Sequence, residues 1–177
     1  LAECYRLARA HPFADPDRLQ FREATTSSVP VDDNSIDLIL STNVFEHVMD
    51  IPGILAELHR VLKPGGSLMT RFGPLFYSPR GYHLSWATQV PWAHLLFGFK
   101  PVIEVRNAKR QPAIDPSTWE DTGLNRLTFS RFKRSVAQSG FEVQRLERIP
   151  SCGLKSLAKV PGVGELFTFG IETHLRK

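Results

Sequence analysis

The sequence predicts an α/β fold with a doubly wound, mostly parallel sheet and an antiparallel C-terminal strand. Three features support this prediction: a nearly continuous apolar run at 36–40, a regular helix pattern after it, and a second strand pattern at 67–72. A strand that is apolar on both faces is typical of a parallel sheet. Strand, helix and strand in this order form a right-handed crossover, the building unit of doubly wound sheets.

The composition fits one globular domain. The chain has 177 residues, of which 42% are hydrophobic and 23% are charged. Its two cysteines, Cys4 and Cys152, lie far apart, which excludes a disulfide framework and a four-cysteine zinc module within this chain. We therefore expect a reducing, cytoplasmic compartment. The longest apolar stretch, 86–99, is interrupted by polar residues and is shorter than the roughly 20 residues of a membrane helix, so we expect no membrane partner.

The N-terminal residues predict a helix followed by a short strand. Leu1, Cys4, Tyr5 and Ala8 follow helical spacing, and residues 19–24 have the pattern of a strand. The chain begins with leucine and shows no apolar signal segment. We expect that further sequence precedes it in the complete protein.

The clearest helix pattern begins after Asp50, whose side chain is suited to accept a hydrogen bond at a helix N-terminus. Its apolar face consists of Ile51, Ile54, Leu55, Leu58, Val61 and Leu62. Residues 63–66, Lys-Pro-Gly-Gly, predict its end, because a cation complements the helix dipole and glycine permits a tight reversal.

Residues 73–125 differ in amino-acid composition from the rest of the chain. Eight of the 18 aromatic residues fall between Phe72 and Phe99, interleaved with prolines and glycines, which predicts a lid or pocket wall. Residues 101–125 are polar and have no strong period, which predicts an insertion over the sheet edge and assigns no conformation to it.

The C-terminal part predicts two helices and two strands. Thr128 is a candidate cap for a helix that Gly140 ends, and residues 141–149 then form a strand pattern. A short helix over 154–159 precedes the last strand, at 166–175.

The charge is uneven along the chain. Residues 1–97 carry a net charge of −2 and residues 98–177 a net charge of +6. Such asymmetry can mark a nucleic-acid interface, but these basic residues are scattered, with Lys109-Arg110 and Lys133-Arg134 the densest pairs. A solvated surface is the favoured interpretation, and no nucleic-acid partner is expected.

Two segments resemble the class I S-adenosylmethionine-dependent methyltransferases, in their small-molecule, type 11-like branch. They are Ser-Ile-Asp-Leu-Ile-Leu-Ser-Thr-Asn-Val-Phe-Glu-His-Val at 35–48 and Arg-Val-Leu-Lys-Pro-Gly-Gly at 60–66. The resemblance implies a Rossmann-like fold, S-adenosylmethionine as the cofactor and a small-molecule acceptor. We therefore predict one partial methyltransferase domain over 1–177, with a lid or insertion at about 73–125.

The sequence departs from the family pattern at its N-terminal side. The resemblance implies a first strand with a glycine-rich turn and a second strand that ends in an acid, and neither lies within these residues. We therefore expect the N-terminal strands of the fold to be missing from the chain. At the position after the third strand, where many relatives have an acid, stand Thr25 and Thr26, whose hydroxyls can still accept a hydrogen bond from adenine.

The cofactor site implied by the resemblance continues at Ser41, Thr42, Asn43 and Val44, which would line the methionine side of the cofactor. These residues follow the buried strand, and ligands of open α/β sheets bind at the carboxyl ends of strands. The alternative is that Asn43 only caps a turn.

Three side chains are candidates for catalytic work. Glu46 and His47 would orient the substrate or help to remove a proton, and His83 would deprotonate an acceptor hydroxyl near neutral pH. An equally favoured interpretation makes Glu46 and His47 a structural pair, because methyl transfer demands little acid or base catalysis once the reactants are aligned.

The aromatic segment supplies the candidate acceptor pocket. An apolar wall with a few polar groups suits such a pocket, and its predicted residues are Tyr82, His83, Trp86, Trp92 and His94. The alternative is a hydrophobic cap whose histidines bond local carbonyls. The six histidines show no metal-ligand spacing, and no metal is expected.

Two functional hypotheses remain open. The first is methyl transfer to a small or medium-sized acceptor. The second is a non-catalytic, methyltransferase-like binding or assembly module that lacks a complete cofactor site. A nicotinamide dehydrogenase is disfavoured because the glycine fingerprint is absent. In either case a sheet without its first strand exposes an apolar edge, which another chain, self-association or a rearrangement before Ile36 would cover. We expect a homo-oligomer that completes the sheet, or poor solubility of the isolated chain.

Overall fold

The computed structural model describes residues 1–11, 15, 18–25, 27–151 and 153–177. The predicted site residue Thr26 and Cys152 lie outside this part of the chain. The helices are Ala2–Ala10 (α1), Ile51–Val61 (α2), Ala93–Leu96 (α3), Phe99–Lys109 (α4), Phe129–Ala137 (α5) and Lys155–Ala158 (α6). The strands are Ile36–Thr42 (β1), Leu62–Phe72 (β2), Glu142–Pro150 (β3) and Thr168–Arg176 (β4).

The four strands form one sheet in the order β1-β2-β4-β3. β1 pairs in parallel with β2, whereas β4 pairs antiparallel with both β2 and β3. It follows that β1, β2 and β3 run in one direction and that β4 alone runs against them. The predicted α/β sheet with an antiparallel C-terminal strand is therefore confirmed.

The predicted helix starts are present as side-chain caps. Asp50 Oδ1 accepts from the amide of Gly53 at 3.0 Å, and Thr128 Oγ1 accepts from that of Arg131 at 3.1 Å. The end of α2 differs slightly from the prediction, because the helix ends at Val61 and β2 begins directly at Leu62. The Lys-Pro-Gly-Gly segment thus lies within the strand.

The main hydrophobic core lies between α2, α5 and one face of the sheet. It includes Leu55 and Leu58 of α2, Phe132 of α5, and Phe72 and Leu175 of the strands. Alternate strand residues lie on the other face, as the period of a strand requires. On that face Leu40 is 69% and Met69 is 41% exposed.

The prediction of a strand over residues 19–24 is wrong. This segment has no strand partner, and β1 is at one edge of the sheet. Its contacts are local: the amide of Phe21 bonds to Tyr5 Oη at 3.2 Å, and the Arg22 guanidinium bonds to the carbonyl of Pro30 at 2.6 Å. A segment with strand propensity does not form a strand when no neighbouring strand pairs with its backbone.

Residues 73–125 form a second hydrophobic cluster. Its buried members are Phe76, Tyr82, Ala93, Val102, Trp119 and Leu124. The helix α4 was not expected from the polar pattern of this segment, because only Val102 and Ile103 of its residues are buried. Among the described residues, no helix is both long and apolar enough to cross a membrane.

Candidate functional site

The carboxyl end of β1 lies beside the carboxyl end of its parallel neighbour β2. Ser41 pairs with Thr70, and Thr42 pairs with Arg71. These residues line a groove of about 430 Å³ that continues across the sheet to Arg145 and His174. The hydroxyl of Thr70 is buried and has no hydrogen-bond partner among the described residues. The groove therefore lies on the exposed face of the sheet beside the strand ends, and Leu40 and Met69 line it together with polar residues.

Asn43 follows β1 in a left-handed conformation, with φ of 53°. Its amide donates to the carbonyl of Arg71 at 2.9 Å, which extends the parallel ladder by one bond. Asparagine tolerates this backbone region better than most non-glycine residues. The chain turns sharply here and leaves both Asn43 and Val44 exposed at the strand end.

The next residues, Phe45–His47, form a single 3-10 turn. The turn is anchored by Phe45, whose ring stacks on Phe72 with a centroid distance of 5.4 Å and meets Phe132 edge-on at 5.7 Å. The position of Glu46 and His47 is therefore set by an aromatic side chain in the main core.

Glu46 is buried, and its Oε2 atom has no hydrogen-bond partner among the described residues. Burial raises the pKa of Glu46 above its usual value, and the nearby backbone amides of Glu46 and Gly73 only partly oppose this effect. A carboxyl group in such surroundings holds a proton more readily than one in water.

The rings of His47 and His83 pack edge to face, with a centroid distance of 5.4 Å. His47 Nδ1 lies 2.8 Å from the carbonyl oxygen of Gly123, and His83 Nε2 lies 2.9 Å from that of Pro74. A carbonyl oxygen only accepts, so in each ring the nitrogen that faces it carries the hydrogen. When the rings are neutral, Nε2 of His47 and Nδ1 of His83 are the proton acceptors.

Burial lowers the pKa of His83, and the hydrogen bond to the Pro74 carbonyl opposes this effect only in part. This shift favours the neutral form of the His83 ring. Its backbone φ of 57° is left-handed, a region that few non-glycine residues adopt, although histidine is found there more often than most. Such conformations persist where the surrounding structure imposes them, and they cluster at functional sites.

Glu46 and His83 line one small cavity of about 10 Å³, together with Asn125 and Arg126. This volume is close to that of a single water site. Two of the candidate catalytic residues, from distant parts of the sequence, thus meet at one polar cavity.

Asn125 is a positioning residue that the sequence analysis missed. It is buried, and its Nδ2 donates to the carbonyls of Phe45 at 2.6 Å and Val48 at 2.7 Å. Its Oδ1 accepts from the amide of Leu127 at 3.0 Å. The one available signal was an Asn-Arg pair between Leu124 and Leu127, within a segment to which no conformation was assigned.

The structure does not bring all five predicted acceptor residues together. Tyr82 and His94 are buried in the second hydrophobic cluster, where their rings lie 5.3 Å apart. Tyr82 donates to the carbonyl of Thr88 at 2.9 Å, and His94 Nε2 donates to that of Phe76 at 2.5 Å. Acceptor contact by these two residues stays a prediction. Tyr82 Oη and His94 Nε2 already bond local carbonyls, whereas His94 Nδ1 is buried and has no partner among the described residues.

The two tryptophans lie apart from this pair. Trp92 Nε1 donates to the carbonyls of Tyr77 at 3.1 Å and Leu166 at 3.3 Å, which links the aromatic segment to the turn before β4. Trp86 is exposed, and the guanidinium of Arg110 lies 5.5 Å from its ring centre. Of the five residues, only His83 contacts the Glu46 and His47 region directly.

Thr25 lies in a turn, where its amide donates to the carbonyl of Ser28 at 3.0 Å. Its hydroxyl accepts from the amide of Ser27 at 3.4 Å. These bonds do not join it to residues 41–44, and its role toward adenine stays a prediction. The described residues contain no group of His, Cys, Asp and Glu side chains that could hold a metal ion.

The fold is that of a known class of protein. A mixed α/β sheet with one reversed C-terminal strand is the arrangement of the class I S-adenosylmethionine-dependent methyltransferases. Residues 2–70 match the family model described as a methyltransferase domain. The resemblance seen in the sequence is thereby confirmed.

Individual curated proteins with similar sequences are also named methyltransferases. The chain is 33% identical over 66 residues to a sterol 24-C-methyltransferase of Gibberella zeae, a match that covers 35% of the chain and 17% of that protein. It is 28% identical over 142 residues to the demethylmenaquinone methyltransferase of Symbiobacterium thermophilum, covering 77% of the chain and 52% of that protein. Its matches thus span about half or less of these curated relatives.

The structure also resembles solved methyltransferases. A crystal structure of an S-adenosylmethionine-dependent methyltransferase from Mesorhizobium loti superposes with a TM-score of 0.57 at 20% identity. The superposition covers 97% of this chain and 75% of the other. At this identity the comparison shows that the fold is shared.

Proposed function

We propose that the protein transfers a methyl group from S-adenosylmethionine to a small or medium-sized acceptor. The observation that carries this proposal is the position of Ser41–Val44, at the carboxyl end of a parallel strand and within a sequence match to a methyltransferase domain. In open α/β sheets this is the edge at which ligands bind.

The residues at this edge fit the cofactor in chemical kind. The hydroxyls of Ser41 and Thr42 and the carboxamide of Asn43 suit the polar amino-acid end of S-adenosylmethionine. When bound, the cofactor supplies a methyl group on a sulfonium, which is a good leaving group. The chain's own residues have to hold the acceptor in line with that methyl group and exclude water.

An acceptor that carries an O–H or N–H group has to lose a proton on methylation. His47 is the residue suited to take it, because its Nδ1–H bonds to the Gly123 carbonyl and leaves Nε2 as an acceptor on an exposed ring. His83 packs against that ring and limits its rotation. Glu46 sits behind both, in the small cavity with His83.

The names of two relatives support a proposal for the acceptor class. Their names specify a sterol and demethylmenaquinone, which are both molecules with a large apolar body. The aromatic segment, which contributes His83 to the site, also has exposed aromatic side chains at Tyr77 and Trp86. We infer an acceptor whose reactive group is attached to an apolar skeleton.

Calorimetric titration with S-adenosylhomocysteine tests the cofactor site. We expect micromolar binding, which Asn43→Gly weakens about 3- to 10-fold, because the glycine keeps the left-handed backbone but removes the carboxamide. Asn34→Gly is the matched control, since Asn34 has a φ of 51° at the opposite end of β1. Equal effects of the two variants would contradict the assignment. Failure of the complete protein to bind would favour a non-catalytic binding or assembly module.

A further inference from the structure

The end of α3 and the turn towards α4 expose three apolar side chains at residues 95–97, and we call this segment the elbow. Leu95, Leu96 and Phe97 are consecutive, and Leu96 and Phe97 are 67% and 58% exposed. Gly98 follows with φ of 78° and directs the chain into α4. Three neighbouring exposed apolar side chains at a turn form a protrusion that no described residue covers.

The exposed side of α4 continues this surface. Its exposed residues lie on one side of the helix, with Pro101, Val105 and Ala108 between Lys100 and Lys109. The opposite side holds Val102 and Ile103, which are buried. The small apolar residues of this side therefore lie between lysines, with the exposed Glu104 among them.

Trp86 extends the surface at the far end of α4. It is 43% exposed, and the guanidinium of Arg110 lies over its ring. The elbow stands at the beginning of α4 and this pair stands just after its end. A tryptophan beside a cation has the amphipathic character that side chains at a lipid headgroup layer share.

The charge of this surface is net positive. The exposed side of α4 carries Lys100 and Lys109 against one acid, Glu104, and Arg110 follows at its end, which gives a net charge of +2. A surface with this charge is complementary to an anionic layer.

We propose that the surface formed by residues 95–97, the exposed side of α4 and Trp86 docks on an anionic phospholipid bilayer. The elbow enters the headgroup region, and the basic residues contact the lipid phosphates. The sequence predicts no membrane partner because no segment is apolar enough to span a bilayer, but surface docking needs no span. The proposal stands apart from methyl transfer and is tested without any acceptor.

The test is co-sedimentation of the whole chain with vesicles. We expect binding to vesicles of equal parts phosphatidylcholine and phosphatidylglycerol, weak binding to phosphatidylcholine alone, and release by salt. Leu96→Asp with Phe97→Asp should weaken binding at least about tenfold. The control, Leu1→Asp with Leu7→Asp, makes the same change at residues that are 54% and 55% exposed on and beside α1, and should leave binding unchanged.

A second pair of variants distinguishes binding through this surface from attraction by the net charge of the chain. Lys109→Gln with Arg110→Gln should weaken binding about 10- to 30-fold, since each basic residue near an anionic surface contributes about fivefold. Lys133→Gln with Arg134→Gln removes the same charge from exposed residues of α5 and should have little effect. The emission of Trp86 should shift to the blue on binding, and Trp86→Phe should remove most of that shift.

Three outcomes would overturn the proposal. Equal losses for the two basic pairs would show attraction by net charge alone. Binding that the elbow variants do not weaken would place the contact elsewhere. The third outcome combines two observations: no vesicle binding, and a dimer in sedimentation velocity that the elbow variants dissociate. It would show that a second copy of the chain covers this surface.

Discussion

The side chain of Asn125 donates a hydrogen bond to the backbone carbonyl of Phe45, 80 positions earlier in the sequence, at 2.6 Å. A second bond from the same amide reaches the carbonyl of Val48. The turn that carries Glu46 and His47 is thereby fastened to the segment whose Gly123 carbonyl bonds His47. One buried amide thus fixes the candidate catalytic turn.

The first prediction concerns this amide. Asn125→Ala leaves two buried carbonyls without donors, and it should lower the free energy of unfolding by about 2–4 kcal/mol. Urea denaturation measures the change. Asn107→Ala is the control, because Asn107 also bonds backbone groups, at Ile114, but is only partly buried and lies away from the site. Affinity for S-adenosylhomocysteine should fall for Asn125→Ala only, and an equal loss in both variants would contradict a positioning role.

The second prediction concerns the buried carboxyl of Glu46. Because burial raises its pKa in the folded state, the charged form of Glu46 opposes folding at neutral pH. Its contribution to stability is present below the unfolded pKa of about 4.5 and is lost as pH rises through the folded pKa. Glu46→Gln should therefore raise the Tm at pH 7, and the gain should shrink at pH 4. The exposed Glu142→Gln should change the Tm little at either pH.

The third prediction concerns the ion pair of Glu57 with Arg60. Glu57 also accepts from the amide of Val29 at 2.8 Å, and Arg60 bonds Asp33 and two carbonyls of the same loop. The Arg60 hydrogen bonds lower the pKa of Glu57 to about 2. The resulting stability is present above pH 4.5 and is lost as pH falls from 4.5 towards 2.

Thermal unfolding across this range tests the pair. Glu57→Gln should lower the Tm at pH 7, and its difference from the unmodified chain should vanish near pH 2. The control is Asp37→Asn, which breaks the exposed pair with Lys63 and should cost little. A Tm for Glu57→Gln that stays constantly lower at all pH values would show that the lost contact is not ionic.

The fourth prediction concerns the buried histidines. Burial lowers the pKa values of both His83 and His94 in the folded chain. The stability linked to them is present above pH 6.5, the unfolded value, and is lost as pH falls below it, because the unfolded chain takes up these protons more readily. NMR titration of the imidazole signals should place both pKa values below 6.5. A value above 6.5 for His83 would remove its proposed neutral state at pH 7.

The sequence predicted those parts of the fold whose cause is local or periodic. The helix after Asp50 and the helix after Thr128 were identified because a capping side chain and a regular apolar stripe lie within one segment. The parallel pairing of β1 with β2 could be expected because a strand, a helix and a second strand form a crossover between parallel strands. Residues 19–24 were misassigned because strand formation depends on a neighbour, and β1 offers this segment no pairing.

In the candidate site, too, some features follow from the local sequence and others depend on tertiary contacts. By itself the sequence determined that Ser41–Val44 lie at the carboxyl end of a parallel strand and that Glu46 and His47 follow at once, because these positions depend on order along the chain. Only the tertiary structure decided that His83 packs against His47, that Tyr82 and His94 are enclosed, and that Asn125 holds the turn. These contacts join residues that are distant in sequence. They form only when the aromatic segment packs beside the sheet, and no local pattern encodes which partners then meet.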